Sequence, residues 1–301
     1  MSEQLPAFLC QSLARQYGDD TAALILEGMG GRRCTTLRAN LLKTTPGAVA
    51  GMLRGQGIDF ATAAFSEAAF LLPQATEADL WKLPAYESGE IYLQSLSSML
   101  PPLALQPRAG ADILDMAAAP GGKTAQMAAL TGNKASITAC EINRIRADKL
   151  RHNLQKQGAS RVNVMLCDAR KLEDFFRFDQ ILLDAPCSGS GTLLSCEPRG
   201  LAAFSEKLVR SSAATQLQLL KKALSLLKSR GTLVYSTCSI LEIENENVVR
   251  AALKGVKAHL VPIDLPGLDT LPLLPSSLPG VLCIRPTAEY EGFFMAKVEK
   301  D

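Results

Sequence analysis

The stretch Asp115-Met116-Ala117-Ala118-Ala119-Pro120-Gly121-Gly122-Lys123-Thr124 places a carboxylate, three small side chains, two glycines and a lysine in one short run. It follows the apolar pair Ile113-Leu114 and precedes a helical pattern. That order describes a buried strand, an acidic strand end and a tight turn into a helix. Ligands bind at such turns in parallel sheets. Ala117 to Ala119 leave room for a bulky group, and Gly121 and Gly122 allow close backbone approach. A helix starting near Lys123 presents free N–H groups. A phosphate-binding loop would need a glycine where Ala117 stands. A dinucleotide turn needs a Gly-x-Gly-x-x-Gly spacing that is absent here. S-adenosyl-methionine, whose tail is zwitterionic, fits a turn that offers both N–H donors and a carboxylate. A glycine-rich turn with no ligand is the bland alternative.

Further polar residues fall at strand ends. Glu141 closes Ala139-Cys140 and lies 141 − 122 = 19 residues beyond Gly122. An acid about 20 residues after the glycine turn suits ribose hydroxyls. Asp168 closes Leu166-Cys167 and is placed to accept from an adenine amino group. Either acid alone also suits an exposed helix cap. Asp115, Glu141 and Asp168 at successive strand ends make a stronger pattern. Two more strands end in Asp184-Ala185-Pro186-Cys187-Ser188-Gly189 and Ser236-Thr237-Cys238-Ser239. Two cysteines therefore converge on one edge of a sheet. Ser239 and Glu242 have capping-box spacing, which predicts a helix starting just after Cys238. A helix N-terminus stabilises a thiolate, although Glu242, Glu244 and Glu246 oppose it. Inert core cysteines are the alternative. Placement beside polar turns weighs against that.

The elements that must position these residues alternate. Strands are expected at 113–115, 136–141, 162–167, 180–183 and 231–236. Helices are expected at 123–130, 144–157, 206–228 and 243–253. This is a mostly parallel, doubly wound α/β sheet. Val281 to Arg285 and Gly292 to Val298 read as a terminal hairpin adding an antiparallel edge. Before the sheet stand two helices between Leu5 and Gly30, a strand at 35–40, a helix at 45–53 and short strands at 58–60 and 70–72. A strand at 91–94 and a helix at 97–105, broken at Pro101-Pro102, lead into the sheet. The expected division is a small α/β domain at 1–90 and a larger one at 91–301.

The chain has 301 residues, 47% hydrophobic, with a net charge of +2. That charge does not announce a nucleic-acid binder, so any such surface must be local. Arg33, Arg38, Lys43 and Arg54 have no acid among them and form a candidate phosphate-facing patch. Arg144, Arg146, Lys149, Arg151 and Lys156 on one helix are a second set, either phosphate contacts or a wet face. Eight scattered cysteines without a Cys-x-x-Cys pair, and only two histidines, speak against a metal site. Met1-Ser2-Glu3-Gln4 carries no signal-peptide pattern, and no window is apolar enough to span a membrane. A cytoplasmic, non-membrane monomer with free thiols is expected.

These three motifs resemble the NOL/NOP/Sun family of RNA cytosine-C5 methyltransferases over nearly the whole chain. Gln94 with Ser97-Ser98, and Gly292-Phe293-Phe294, resemble further parts of its pattern. The resemblance implies a Rossmann-like S-adenosyl-methionine-dependent methyltransferase sheet behind a small RNA-recognition-like domain. It implies the cofactor lying across Ala117, Ala118, Ala119, Pro120, Gly121, Gly122 and Lys123. Glu141 would then hold the ribose, Asp168 would meet the adenine, and Asp184 would lie near the methyl donor. Cys238 is then the nucleophile, Cys187 assists product release, and Asp184 and Lys123 complete the catalytic set. The partner implied is ribosomal or transfer RNA. Thr287-Ala288-Glu289-Tyr290-Glu291 departs from the family pattern, which bears on the local substrate wall. Two other readings stand beside this one. In DNA cytosine-C5 methyltransferases the Pro-Cys cysteine attacks instead, and a non-catalytic RNA-binding assembly factor would retain the fold without the chemistry.

Overall fold

The computed structural model describes residues 5–301. The signal-peptide reading at Met1 to Gln4 falls outside the described residues. Two helices open the chain, α1 (Ala7–Tyr17) and α2 (Asp19–Gly28). A small sheet follows from β1 (Thr35–Ala39), β2 (Ala61–Ala63), β3 (Ser66–Leu72) and β4 (Ile91–Leu93), in the order β2-β3-β1-β4. All its pairings are antiparallel. Helix α3 (Pro46–Gly55) covers it, capped by Thr45, and the short helices α4 (Glu77–Trp81) and α5 (Pro84–Glu87) lie before β4. Val49 and Leu53 of α3 pack on Leu37, Phe70 and Leu72 to form its core.

Helix α6 (Leu96–Leu105) crosses to the large sheet. It is continuous, not broken at Pro101-Pro102 as expected. Proline removes the bond to the carbonyl four residues earlier. The Ser98 carbonyl that Pro102 leaves free instead accepts from the Gln94 side-chain amide at 3.0 Å.

The large sheet comprises β5 (Asp112–Asp115), β6 (Ser136–Glu141), β7 (Val162–Leu166), β8 (Phe178–Asp184), β9 (Leu227–Thr237), β10 (Ala258–Val261), β11 (Leu273–Leu274), β12 (Leu282–Ile284) and β13 (Phe293–Lys300). Its order is β11-β12-β13-β9-β8-β5-β6-β7, with β10 also on β13. Strands β5 to β9 are parallel and the rest antiparallel. Strand β13 is therefore interior, where an edge was expected. The short β10 and β11 carry too few residues for a periodic signal. Helices α7 (Gly122–Leu130), α8 (Arg144–Gln157), α9 (Pro198–Ala203), α10 (Glu206–Leu226) and α11 (Glu246–Leu253) complete the chain.

Side chains alternate across the strands, so the sheet has a core on each face. Leu182, Val234 and Met295 face one cluster with α6, α7 and α8. Ile181, Leu183, Tyr235 and Phe294 face the other with α10 and α11. Leu9, Leu13, Ile25 and Met29 of the first two helices and their end belong to that second cluster. Those helices thus pack on the large sheet, whereas β4 at 91–93 belongs to the small one. None of the described helices is long and apolar enough to cross a membrane.

Candidate active site

The strand order reverses at β5, since β6 and β8 flank it on either side. The carboxyl ends of β5, β6, β8 and β9 surround that crevice, where doubly wound sheets bind ligands. The turn after β5 is pinned by Met116 N–H to the Leu182 carbonyl (3.0 Å) and Ala118 N–H to that of Cys140 (2.9 Å). Its Ala119–Pro120 peptide is cis. Gly121 has φ of 107°, and a Cβ there would stand 2.8 Å from the Leu150 side chain. A Cβ on Gly122 would stand 2.8 Å from the Tyr92 ring.

Two cavities, each about 320 Å³, open on this turn. One is lined by Ala117, Glu141, Ile142, Arg146 and Asp168 and runs inward to Asp184, Cys187 and Cys238. The other is lined by Tyr92, Gln94, Ser98, Lys123, Thr192, Glu291 and Phe293, and also reaches Asp184 and Cys238. The two meet at those residues and at Ala117 and Ala119.

All the expected acids reach the crevice, in different states. Buried Asp115 accepts from Thr124 Oγ1 (2.6 Å) through Oδ2, while Oδ1 has no partner. Burial, against the Thr124 bond, pushes its carboxyl up to about 6. Glu141 is 3% exposed; one oxygen accepts from Asn143 N–H (2.8 Å) and the other faces Arg146 at 3.6 Å. Asp168 caps the turn Ala169–Lys171, and both its oxygens accept from Arg170. That hydrogen bonding holds its carboxyl below the usual range, against burial. Asp184 is gripped on both oxygens, by Lys123 Nζ (2.7 Å) and Ser236 Oγ (2.7 Å). Lys123 also donates to Ser98 Oγ at 2.6 Å. Burial would lower its pKa, but the adjacent Asp184 carries it above the usual value.

The sulfur atoms of Cys187 and Cys238 stand 3.0 Å apart. That contact, then burial and then the nearby Glu244 push the Cys187 thiol well above its ordinary value, against the Gly189 N–H. The helix expected just after Cys238 is absent; α11 begins only at Glu246. The spacing Ser239–Glu242 is no capping box, because Ser239 Oγ donates to Glu244 (2.7 Å) and Glu242 N–H to Gln16 of α1 (3.0 Å). Residues 238–245 form a loop closed on itself by Asn245 Nδ2 to the Ser239 carbonyl (2.8 Å) and Thr237 Oγ1 to Asn245 Oδ1 (2.6 Å). Cys238 therefore owes nothing to a helix N-terminus.

The expected basic patch is only half on the surface, since Lys43 and Arg54 are exposed while Arg33 and Arg38 turn inward. Arg38 is 3% exposed and donates to Gln94 and Gln157 (3.1 Å each) and to the Gly122 carbonyl (3.4 Å). Arg33 turns onto the carbonyls of Gly191 and Thr192 at 3.1 Å. Lys43 is spent on the carbonyls of Ser88 and Lys156, and Arg54 lies over the Phe60 ring. Arginine is the residue suited to such forked internal bonding, and sequence charge alone does not reveal its direction. On α8, Arg144, Arg146 and Lys149 are exposed, whereas Arg151 pairs with Asp148 and Lys156 lies over the Tyr86 ring.

Sequence reasoning missed Glu291 and Thr192 in the second cavity. Glu291 accepts from Ser95 Oγ (2.7 Å) and faces Arg33 at 3.7 Å. Its signal lay in the departure of 287–291 from the family pattern. Thr192 lies in a Ser/Gly-rich loop and carried none.

A family model described as 16S rRNA methyltransferase RsmB/F matches residues 102–299, and a ferredoxin-like domain model of the same family matches 5–79. The chain belongs to the RsmB/F methyltransferase family. Among relatives of this family, ribosomal RNA small subunit methyltransferase F of Shewanella loihica is 35% identical over 274 residues, 88% of this chain and 56% of that protein. Human 28S rRNA (cytosine(4447)-C(5))-methyltransferase is 37% identical over 238 residues, 77% of this chain and 29% of that protein. The chain thus spans little more than half the length of the bacterial relatives it matches. The crystal structure of a methyltransferase homologue from Pyrococcus horikoshii is similar over 99% of this chain and 100% of that one, with a TM-score of 0.83 and 30% identity.

Proposed function

We propose that the chain transfers a methyl group from S-adenosyl-methionine to carbon 5 of a cytosine in RNA, ribosomal RNA as for the relatives it resembles, through a covalent bond to Cys238. The observation that carries this reading is the meeting of two cavities at Asp184 and Cys238. One is bordered by acids and small residues, and the other by polar groups and the rings of Tyr92 and Phe293. The first fits the cofactor. The cofactor's ammonium end extends toward the second cavity, which Gly122 and Asp115, its Oδ1 unpartnered, help to line. Glu141 then lies where a ribose would, with Asp168 and Ile142 beside the adenine. When bound, S-adenosyl-methionine supplies an electrophilic methyl group.

The chain's residues do the rest. A cytosine unstacked from its neighbours enters the second cavity. The Cys238 thiolate adds to carbon 6, which makes carbon 5 nucleophilic. Asp184, fixed by Lys123 and Ser236, holds a proton or strong hydrogen bond at ring N3. After transfer a base takes the carbon 5 proton and the bond to Cys238 breaks. Cys187, kept as a thiol 3.0 Å away, donates to the departing sulfur and so assists release.

The test separates the cysteines. Cys238→Ala should abolish methylation of ribosomal RNA and form no adduct. Cys187→Ala should transfer methyl but accumulate a protein–RNA adduct that survives denaturing electrophoresis. An adduct that persists in Cys238→Ala and vanishes in Cys187→Ala would reverse the roles and favour the DNA-enzyme arrangement.

A further inference from the structure

Glu244 is fully buried behind the two cysteines, and its carboxylate receives four donors. Oε1 accepts from Ser188 N–H (2.7 Å) and Gln216 Nε2 (3.2 Å). Oε2 accepts from Ser188 Oγ (2.6 Å) and Ser239 Oγ (2.7 Å). Both oxygens are thus tied into the two loops. No cation is paired with it among the described residues. Ser188 follows Cys187 and Ser239 follows Cys238, so one side chain grips the residue after each sulfur. Other bonds join the same loops directly. Gln216 also donates to the Pro186 carbonyl (3.0 Å), Ser190 meets Ser239 (2.9 Å), and Gly191 N–H reaches the Cys238 carbonyl (3.0 Å). The Tyr235 hydroxyl donates to the Glu244 carbonyl at 2.6 Å and holds the backbone of the residue itself.

A buried carboxylate without a cation is costly. Here its effect is to join loops from two different strands, alongside the direct Ser190–Ser239 and Gly191–Cys238 bonds. We infer that Glu244 is a positioning residue for the release half of the reaction: it ties the loop of Cys187 to that of Cys238 and so sets their spacing. This rests on the two-cysteine reading above. Its charge acts in the same sense. The groups facing Cys187 are Cys238, Glu244, the Gly189 N–H and the buried Tyr235 phenol. After the Cys238 contact and burial, Glu244 adds to the upward push on the Cys187 thiol, whose proton serves the departing thiolate.

Glu244→Gln keeps the shape but removes the charge and turns one acceptor into a donor facing donors. It should slow turnover on ribosomal RNA roughly 10- to 100-fold, the range that small misplacements produce. The protein–RNA adduct should accumulate, and the affinity for S-adenosyl-methionine by calorimetry should stay within about twofold, since Glu244 does not reach that cavity. The pH midpoint for iodoacetamide alkylation of Cys187, followed by peptide mass spectrometry, should fall. Glu244→Asp restores the charge but not the reach, so it should recover the midpoint and not the turnover. Ser188→Ala, which leaves the carboxylate intact, should show the adduct in milder form and guards against a Glu244→Gln that does not fold. The inference is overturned if the Cys187 midpoint stays put, or if adduct formation and turnover fall together with the folded fraction. Should Cys187→Ala trap no adduct, the two-cysteine reading itself fails and takes this inference with it. A Cys187→Ala that traps adduct beside a Glu244→Gln that behaves as wild type sinks the inference alone.

Discussion

Asp115 makes the cofactor turn a liability for the empty protein. Its carboxyl moves from 3.8 to about 6 because burial disfavours the charge more than the Thr124 bond favours it. The sign follows from proton linkage. Below about pH 4 the group is protonated in both states and contributes nothing. Between about 4 and 6 the unfolded chain ionises while the folded one keeps its proton, so stability falls as pH rises. Above about 6 the full penalty of about 3 kcal/mol is present. Asp115→Asn should remove that fall. Urea denaturation at pH 4.5 and 7 should show the variant gaining on wild type as pH rises, and an equal gap at both would refute the account. In the proposed function Oδ1 is the partner of the ammonium group, so the same substitution should weaken S-adenosyl-methionine binding.

At the scale of elements, strand β1 shows why charge in a sequence is not charge on a surface. Arg38 lies between the small sheet and the cofactor turn, bonded to Gln94, Gln157 and the Gly122 carbonyl. Burial lowers its guanidinium to about 10. Arg38→Ala leaves those acceptors unpaired and should cost about 2–4 kcal/mol, measured by urea denaturation, with little change in the salt slope of RNA binding. Arg54→Ala, at an exposed site, should stay within about 0.5 kcal/mol. The parallel strands, their acidic ends and the glycine turn were legible because each is written locally, in a run of apolar residues closed by Gly, Asp or Glu. The loop after Cys238 was not. Its partners are Glu244, five residues on, and Gln16, over two hundred residues back. A spacing rule reads only near neighbours, so Ser239 and Glu242 suggested a helix start that the long-range bonds prevent. Helix α6 was misread for a similar reason, since the group that relieves its second proline, Gln94, precedes the helix.

Across the whole molecule, the first two helices belong mechanically to the large sheet. Tyr17 donates to the Ile240 carbonyl at 2.7 Å, and Gln16 holds both Ile240 and Glu242. Met29 accepts from Ser195 N–H, and Arg33 grips Gly191 and Thr192. Both cysteine loops are thus braced from the N-terminal end of the chain. A variant lacking residues 1–30 should lose cooperative unfolding and bind a hydrophobic dye at neutral pH, whereas the full chain should give one calorimetric transition with matching calorimetric and van't Hoff enthalpies. Two separate transitions in the full chain would show that the shared core is not a unit. The bracing also has a consequence in time. The partners of Tyr17 lie 223 residues further on. At about 5–20 residues per second, the ribosome needs roughly 10–45 s to make them. Through that interval the Ile240 end of the core that Leu9, Leu13 and Ile25 join is not yet made. The segment that braces the Cys238 loop is thus made long before that loop, and a chaperone holding it early would shield the apolar stripe of Leu9, Leu13 and Ile25.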